Sequence, residues 1–367
     1  MPRVIGADPG TLSFDLCGLE DGRVFLEVSV PADGAARDPA ALVDRLEAAL
    51  PLDLIAAPSG YGLPLTAVAE VGDAELDLLL LVREEDRGQP ELVGGLRAIL
   101  ELMRERRLPA VVLPGVIHLP TVPAHRKVNR IDMGTADKVC VATLGIWDQA
   151  TRFSLPAAET SFILVELGGA FTAALAVDRG RIVDGIGGAG GGLGYRALGT
   201  LDGEVAYALG HVCKSALFTG GAAFIAGDPG LSPELLAERA VEDPRARMAW
   251  DAFLESIQKM IASLRVSLPE PREVLLSGRL SRVPAVADAL ATLLSARIPV
   301  RPVGGFASTC KEAAQGAALI ADGLAGGRHR DLVEAMELRG SRGSLFDHLY
   351  VTGVHALRRQ FGMPCES

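Results

Sequence analysis

The sequence predicts an α/β protein built from two duplicated halves, each with the element order β-β-β-α-β-α-β. Apolar runs bounded by turn residues predict the strands, and apolar residues three and four positions apart predict the helices. The halves align without a gap at the offset that pairs Asp8 with Glu166, and six positions then match within a window of 17. Because chance rarely gives so many matches inside corresponding elements, we interpret the pattern as an internal duplication.

The first half opens with three predicted strands in a meander, joined by turns at 8–11 and 21–22. A helix, a buried strand, a second helix with one apolar face and a last short strand follow. The predicted strands are 3–7, 13–19, 23–30, 53–57 and 110–113, and the predicted helices are 39–50 and 91–107.

The second half repeats this order after a connecting segment. Its predicted strands are 161–166, 172–177, 181–186, 273–277 and 298–302, and its predicted helices are 246–268, 283–295 and 309–324. We therefore expect a first domain over 1–125, a connecting segment over 126–160, a second domain over 161–326 and a helical tail over 327–367. Apolar spacing in the tail predicts that it packs on the second domain or on a partner subunit, as in a homodimer.

Composition excludes several function classes. Lysine and arginine number 36 against 46 acidic residues, so the formal charge is −10, which argues against a nucleic-acid partner. The five cysteines are scattered and predict neither a disulfide framework nor a zinc site, so we expect a cytoplasmic location. No apolar run predicts a signal peptide or a membrane span. The 42 glycines exceed the usual share and predict turns or ligand loops.

The matched acid-x-Gly turns indicate where a ligand binds. Glycine lets the backbone approach closely, so the N–H groups of such hairpins can surround phosphate oxygens. Thr11 and Ser13 add hydroxyl donors beside Gly10, and Asp8 can hold Mg²⁺ or its waters. Two such hairpins facing each other would hold a polyphosphate from both sides. For an isolated turn, the alternative is an ordinary β-hairpin without a ligand.

These motifs resemble those of the actin, Hsp70 and sugar-kinase superfamily, which includes acetate kinase. Residues 8–13 resemble its phosphate-1 motif, 166–172 its phosphate-2 motif, and 274–278 its adenosine motif. The resemblance implies duplicated actin-like (ribonuclease H-like) domains with ATP and Mg²⁺ in the cleft between them, and metal ligands at Asp8 and Glu166. Glu166 departs from the aspartate that is usual there. The implied nucleotide-binding residues are Asp8, Gly10, Thr11, Ser13, Glu166, Gly168, Gly169, Gly220, Gly221 and Gly278.

Two further segments, 6–15 and 129–138, resemble a branch of that superfamily called predicted butyrate kinases. The branch name implies an acyl carboxylate as phosphoryl acceptor. Because the name is itself inferred from fold, the resemblance leaves the identity of the acceptor open.

The segment that joins the halves has a high density of polar residues. Arg126 and Arg130 could bind an acidic acceptor or the transferring phosphoryl group, since guanidinium groups match carboxylate and phosphate oxygens. Asp132 or Asp137 could orient the nucleophile or bind Mg²⁺, and Lys138 could contact the γ-phosphate. The alternative is that Asp132 caps a helix over 134–144 and that the basic residues are solvated.

Other segments carry weaker signals. Ser59 and Tyr61 follow a predicted strand and are candidates for an acceptor pocket, or else form a plain turn. His118 and His125 match no catalytic motif and are interpreted as structural or surface residues. The glycine run 185–194 could line the phosphate cleft or form a flap, or be a loop without ligand contact.

Together these observations predict an ATP-dependent kinase that phosphorylates a small carboxylate or hydroxylated metabolite, which we expect to be anionic. One alternative is an ATP-dependent ligase of cofactor biosynthesis that passes an acyl or alkyl phosphate to an amine. A second alternative is a nucleotide-gated regulatory switch. We expect neither a nucleic acid nor a membrane as partner.

Overall fold

The structure is a computed structural model that describes residues 1–10, 13–83, 95–294 and 298–363. Two mixed β-sheets form its two lobes. The first sheet has the order β3-β2-β1-β4-β6-β5, with strands β1 (Arg3–Pro9), β2 (Ser13–Glu20), β3 (Arg23–Pro31), β4 (Leu54–Ala56), β5 (Thr66–Ala67) and β6 (Ala110–Val112). The second has the order β11-β10-β7-β8-β9, with β7 (Ser161–Leu167), β8 (Thr172–Asp178), β9 (Arg181–Ile186), β10 (Val274–Ser277) and β11 (Val300–Pro302).

The two sheets confirm the predicted α/β class and the duplication. In each, three antiparallel strands form a meander, and the next strand along the chain pairs in parallel with the first. The irregularity between Gly18 and Leu19 in β2 recurs between Ala176 and Val177 in β8, at the same offset as the sequence match. Even a local distortion that twists a strand is therefore present in both copies.

The hairpin turns repeat as well. Asp21 and Gly22 have φ values of 54° and 70°, and Arg179 and Gly180 have φ values of 50° and 71°. Two consecutive residues with positive φ give the turn whose twist matches the flanking strands, and glycine at the second position adopts it without steric cost. The predicted pairing of Gly22 with Gly180 thus reflects a shared backbone requirement.

Fourteen α-helices lie within the described residues. Those of the first lobe and the connection are α1 (Ala32–Arg37), α2 (Pro39–Ala48), α3 (Asp73–Leu80), α4 (Leu96–Glu105), α5 (Ala124–Lys127) and α6 (Ala136–Phe153). The others are α7 (Gly203–Leu209), α8 (Ala222–Ile225), α9 (Pro233–Arg239), α10 (Pro244–Ser267), α11 (Pro284–Leu294), α12 (Glu312–Leu324), α13 (Arg330–Ala335) and α14 (Val354–Gln360). No helix in these described segments is both long enough and apolar enough to cross a membrane.

Alternate residues of the second sheet face two different cores. Ile163 and Val165 of β7 pack with α10 and α11, whereas Phe162 and Leu164 pack with α6 and the first lobe. This alternation is expected for a strand with both faces covered, because successive side chains point to opposite faces. The larger core therefore joins the first sheet, α6, α12 and one face of the second sheet.

Helix α12 belongs to the first lobe, although the predicted boundary at 326 assigns it to the second domain. A Cβ at Gly6 of β1 would lie 2.1 Å from the backbone nitrogen of Ala318, and a Cβ at Gly316 would lie 1.8 Å from the carbonyl oxygen of Cys140 in α6. Glycine is required where backbones approach so closely. The chain thus returns to its first sheet after building the second.

The C-terminal tail packs mainly on the first-lobe side rather than on the second domain, which it contacts through the ion pair of Glu337 with Arg181. Packing on a partner subunit stays a prediction. Leu332, Phe346 and Phe361 are buried in the core that contains the first sheet. The backbone N–H of Asn129 donates to the carbonyl of His348 at 2.8 Å. The apolar spacing was correct for burial, but sequence spacing does not specify which surface receives a helix.

Other differences concern single elements. Helix α3, the short α1 and strand β5 were not predicted. Helix α6 continues to Phe153, well past the predicted 134–144, and ends with Ser154 in a left-handed conformation. The predicted helix 91–107 corresponds to α4, and its first residues, 91–94, lie outside the described residues.

Candidate active site

A cleft of about 830 Å³ opens between the lobes. The first lobe contributes the end of β1, the loop after β4, and leucines of α3 and α4. The connection contributes the start of α6, and the second lobe contributes the β7–β8 hairpin and a short 3₁₀ helix, Lys214–Phe218. Ligands of open α/β sheets bind beyond the carboxyl ends of the strands, which is where this cleft lies.

Asp8 stands at the polar end of the cleft. It is the penultimate residue of β1 and is 5% exposed, and its carboxylate accepts no hydrogen bond from the described residues. Burial and the nearby carboxylate of Asp137 raise its pKa to about 7. A buried carboxylate without a partner is costly, so this position suits a bound cation or a cation-carrying ligand.

The rest of the predicted phosphate-1 turn surrounds Asp8. Gly10 lines the cleft, and a Cβ there would lie 2.2 Å from the Lys311 Nζ. The Ser13 hydroxyl donates its proton to Asp15 at 2.6 Å, so this proton is not available to a phosphate in the cleft. Thr11 lies outside the described residues.

Lys311 is a site residue that the sequence analysis missed. It precedes α12, and its Nζ donates to the Ser13 carbonyl at 3.1 Å and lies 3.4 Å from an Asp15 carboxylate oxygen. The ammonium group of Lys311 therefore contacts the phosphate-1 turn, although Lys311 follows Ser13 by 298 residues in the sequence. Lysine is scarce in this sequence, and that scarcity was the only signal that could have drawn attention to it.

Lys138 connects the second copy of the acid motif, at Glu166, to Asp137 at the start of α6. Its Nζ lies 2.5 Å from Asp137 and 3.0 Å from Glu166, and all three side chains are largely buried. Burial alone would lower the pKa of Lys138, but the two carboxylates raise it above its ordinary value. Burial raises the pKa of Glu166, whereas the ammonium group holds the pKa of Asp137 below its ordinary value despite burial.

The two aspartates predicted to orient a nucleophile are already engaged. Asp137 accepts from Lys138 at 2.5 Å and from the Thr135 hydroxyl. Asp132 accepts from the backbone N–H of Gly134 at 3.1 Å and from that of Ala189 at 2.9 Å. Both line the cleft, but their oxygens serve to fix the connection and the glycine run. Asp132 does not cap α6, whose N-cap is Thr135.

Arg126 and Arg130 lie away from the cleft wall. Arg126 donates to the carbonyl of Val183 at 2.6 Å, and Arg130 donates to that of Gly190 at 3.5 Å. They attach the connection to β9 and to the glycine run, of which Gly188 and Ala189 do line the cleft. Any contact of these arginines with an acceptor stays a prediction.

The predicted phosphate-2 and adenosine motifs meet where the neighbouring strands β7 and β10 end. Glu166 of β7 is in register with Ser277 of β10, and a Cβ at Gly278 would lie 3.0 Å from a Glu166 carboxylate oxygen. The Gly168 N–H donates to Phe171 at 3.0 Å and closes the hairpin that also contains Gly169. These residues adjoin the cleft through Phe171 and the ion pair with Lys138.

Gly220 and Gly221 serve a different contact. Gly220 forms an isolated bridge with Ala197, and a Cβ at Gly221 would lie 2.4 Å from the Arg196 backbone. They pack the segment between β9 and α10, an insertion relative to the first half, against the loop that follows the glycine run. Among the described residues that line the cleft, neither glycine is present. Their predicted contact with a nucleotide stays a prediction.

Much of the remaining cleft wall is apolar. Six apolar side chains from both lobes, namely Leu79, Leu80, Leu96, Leu113, Leu217 and Phe218, form what we call the apolar half of the cleft. Phe14, Phe171, Asp33 and Arg37 also line the cleft. Phe218 also packs edge-on against Phe171, with ring centroids 5.1 Å apart. An apolar wall beside a few convergent polar groups is typical of small-molecule sites.

Tyr61 and Lys214 meet across the cleft. The Lys214 Nζ donates to the Tyr61 hydroxyl at 3.1 Å and lies 4.7 Å from the ring centroid, and both residues line the cleft. Burial and the nearby Asp132 raise the pKa of Tyr61 above its ordinary value. Lys214 was not predicted, because it lies in an insertion that has no counterpart in the first half.

The remaining candidates have structural positions. The Ser59 hydroxyl donates to the Ala57 carbonyl at 2.7 Å and accepts from the Leu113 N–H at 2.8 Å, so it fastens the strand end. His118 is buried outside the cleft wall, and burial lowers its pKa to about 4. His125 is exposed. Both histidines fit the structural or surface interpretation.

Comparison with known proteins identifies the family. A family model described as "Protein of unknown function (DUF1464)" matches residues 6–351. The chain belongs to this family. A search of curated proteins gave no match.

Solved structures show which proteins share the fold of this DUF1464 chain. A propionate kinase from Francisella tularensis subsp. tularensis SCHU S4 is similar with a TM-score of 0.59 at 12% identity, covering 86% of this chain and 99% of that one. Acetate kinase from Porphyromonas gingivalis has a TM-score of 0.57 at 13% identity, covering 87% and 98%. Acetate kinase from Entamoeba histolytica has a TM-score of 0.57 at 12% identity, covering 80% and 86%. The predicted actin-like, two-domain fold is confirmed.

The residues present fit the Mg·ATP that this fold implies. Asp8 offers a carboxylate that accepts no hydrogen bond from the described residues, and Mg²⁺ is usually held by one or two carboxylates together with substrate phosphates. No group of three or more His, Cys, Asp or Glu side chains in the described ranges could form a metal site by itself. A metal ion at Glu166 would compete with the ammonium group of Lys138, 3.0 Å away.

Proposed function

We propose that the protein is an ATP-dependent phosphotransferase that phosphorylates a small carboxylate or hydroxylated metabolite. One observation carries the proposal. An inter-lobe cleft brings together the buried Asp8, which has no hydrogen-bond donor in the described part of the chain, the close-approach turn at Gly10 and the Lys138 ion-pair cluster. The cleft wall continues into the apolar half. Polar groups for a triphosphate thus adjoin a separate space for a second small molecule. Structural neighbours described as acetate and propionate kinases support the same class of reaction.

In this proposal each residue has a defined role. Asp8 holds the metal ion, which neutralises charge on the phosphates when bound. Lys311 places an ammonium group against the phosphate-1 turn, and Lys138 places one beside Asp137 and Glu166. Both lie near Asp8, where they offset the charge of the transferring group. Thr135 and Glu166 fix Asp137 and Lys138 in position. Closure of the lobes would exclude water and suppress hydrolysis of ATP.

The test is acceptor-dependent ADP formation. The full chain is incubated with Mg·ATP and a panel of short carboxylates, polyols and amines. ADP that depends on one carboxylate or alcohol supports the kinase, and ADP that needs a carboxylate together with an amine supports the ligase alternative. Slow hydrolysis that no acceptor changes supports the regulatory switch and contradicts the proposal.

Asp8→Asn should abolish turnover with the fold intact, because it removes the charge that holds the cation. Asp178→Asn, at the partly exposed end of β8, is the matched control and should retain turnover. Turnover that survives in Asp8→Asn would show that the phosphate-1 assignment is wrong.

A further inference from the structure

The apolar half of the cleft defines which acceptor the proposed kinase takes. We propose that it binds a monocarboxylate with an apolar tail of about five carbons or more, and that Lys214 binds the carboxylate. The whole cleft, which the acceptor would share with the phosphates, has a volume of about 830 Å³. The inference rests on the proposed function and adds the substrate class and a specificity residue to it.

The first argument is the chemistry of the walls. The six apolar side chains that line this half come from both lobes, and none of them offers a hydrogen bond. A polyol would leave its hydroxyl groups unpaired against these walls, which costs free energy for every group. A two-carbon acid would leave most of the apolar surface in contact with water. A longer apolar tail removes both costs.

The second argument is the placement of the cationic group. Lys214 lies on the 3₁₀ helix that also carries Leu217 and Phe218, so one short element supplies both an ammonium group and apolar wall. The Tyr61 hydroxyl fixes that ammonium group at 3.1 Å. The loop of Tyr61 is in turn tied to the phosphate end, because the Gly60 carbonyl accepts from the Ala136 N–H at 3.0 Å. A carboxylate on Lys214 therefore lies at the boundary of the polar and apolar halves.

The third argument concerns the proton. An alcohol must lose a proton when it attacks phosphorus, and a base must receive it. Asp8 is assigned to the metal ion in the proposed function, and both oxygens of Asp132 and of Asp137 already accept hydrogen bonds within the protein. A carboxylate is ionised at neutral pH and needs no base. One of its oxygens attacks the γ-phosphorus of ATP, the bond from that phosphorus to the bridging oxygen breaks, and ADP leaves with the electron pair, giving an acyl phosphate.

The experiment measures kcat/KM for straight-chain acids from acetate to octanoate, for phenylacetate, and for polyols of similar size, with hydroxylamine trapping of the acyl phosphate. We expect kcat/KM to rise by about fourfold per methylene up to about hexanoate, the factor that corresponds to ~0.8 kcal/mol per buried CH₂. The trapped hydroxamate should equal the ADP formed. A flat series, or a preference for acetate or for a polyol, overturns the inference but leaves the kinase proposal standing. No ADP with any acceptor and no ATP binding would contradict the kinase proposal itself.

Two pairs of variants separate the groups. Lys214→Met should raise the KM for hexanoate by about 10- to 100-fold with ATP affinity unchanged, and Lys214→Arg should restore part of it. Lys259→Met, on a well exposed lysine of α10, is the control and should change neither. An unchanged KM in Lys214→Met overturns its role.

Leu217→Asn should lower kcat/KM for hexanoate by about 10-fold but leave acetate within twofold, because only a long tail reaches the wall. Leu209→Asn is the matched control, since Leu209 is 61% exposed on α7 and does not line the cleft. Equal losses of kcat/KM for hexanoate and acetate in Leu217→Asn would contradict a contact between this wall and the tail of the acid. Circular dichroism and thermal unfolding confirm that each variant is folded.

Discussion

Replacing Asp8 with asparagine should stabilise the ligand-free protein while it removes activity. The Asp8 carboxyl is 5% exposed and lacks a hydrogen-bond donor among the described residues, and burial together with Asp137 raises its pKa from 3.8 to about 7. A group whose folded-state pKa is raised opposes folding once it ionises. The cost is absent below about pH 4, grows between pH 4 and 7, and is constant above pH 7.

The magnitude follows from the pKa shift. About three pKa units at 1.36 kcal/mol each correspond to about 4 kcal/mol, and relaxation of the neighbouring charges reduces this to about 2–4 kcal/mol. Asparagine is nearly isosteric and carries no charge, so Asp8→Asn should gain this free energy of unfolding at pH 8. The gain should shrink by about 2 kcal/mol when the pH is lowered to 5.

Urea unfolding in buffer with EDTA and without nucleotide measures the difference at pH 5, 6, 7 and 8. Asp178→Asn serves as the surface control and should stay within about 0.5 kcal/mol of the wild type at every pH. The reasoning is refuted if Asp8→Asn is less stable than the wild type at pH 8, or if its gain does not change with pH. Adding Mg·ATP should stabilise the wild type and leave the variant unchanged.

Two further changes test the ion pairs and the close approaches. Lys138→Met should lower the free energy of unfolding by about 2–4 kcal/mol in a urea titration, because the largely buried Glu166 and the partly exposed Asp137 lose their counter-charge. Adding Glu166→Gln to it should recover part of the loss, and no recovery would argue against the pair. Gly278→Ala should lower the melting temperature and weaken ATP binding, since φ is +81° and a Cβ would lie 2.5 Å from a β7 carbonyl oxygen. Gly353→Ala shares a φ of +89° but has open space around it, so it should cost only about 1 kcal/mol and leave binding intact.

The duplication was readable from the sequence because it is expressed in residues whose backbone roles are local. The turn residues Asp21-Gly22 and Arg179-Gly180 need positive φ. In the strands around them, apolar and polar residues alternate where one face is buried, and apolar residues are continuous where both faces are buried. Such requirements act within a few residues and leave a signal at fixed spacing. The order of elements along the chain then followed from recognising the same unit twice, whereas the strand order within each sheet became known only from the structure.

The partners of the site residues were not readable in the same way. Lys138 neutralises Glu166, Lys311 reaches the phosphate-1 turn and Lys214 meets Tyr61, and each pair joins segments that only the folded chain brings together. A lone lysine in a loop or at a helix start has no periodicity that marks its partner. The same limitation explains the tail, whose buried face was predicted but whose contact surface was not.

The return of α12 to the first lobe determines how the lobes can move. The chain passes between the lobes twice, through α6 and before α12, and these two helices touch almost backbone to backbone where Gly316 meets Cys140. Two tethers that cross at one point permit a rotation about that point and resist sliding or separation. We therefore expect the lobes to rotate about the contact of Gly316 with Cys140. A larger residue at position 316 would push against Cys140, which lines the cleft, and should change both the angle between the lobes and the width of the cleft.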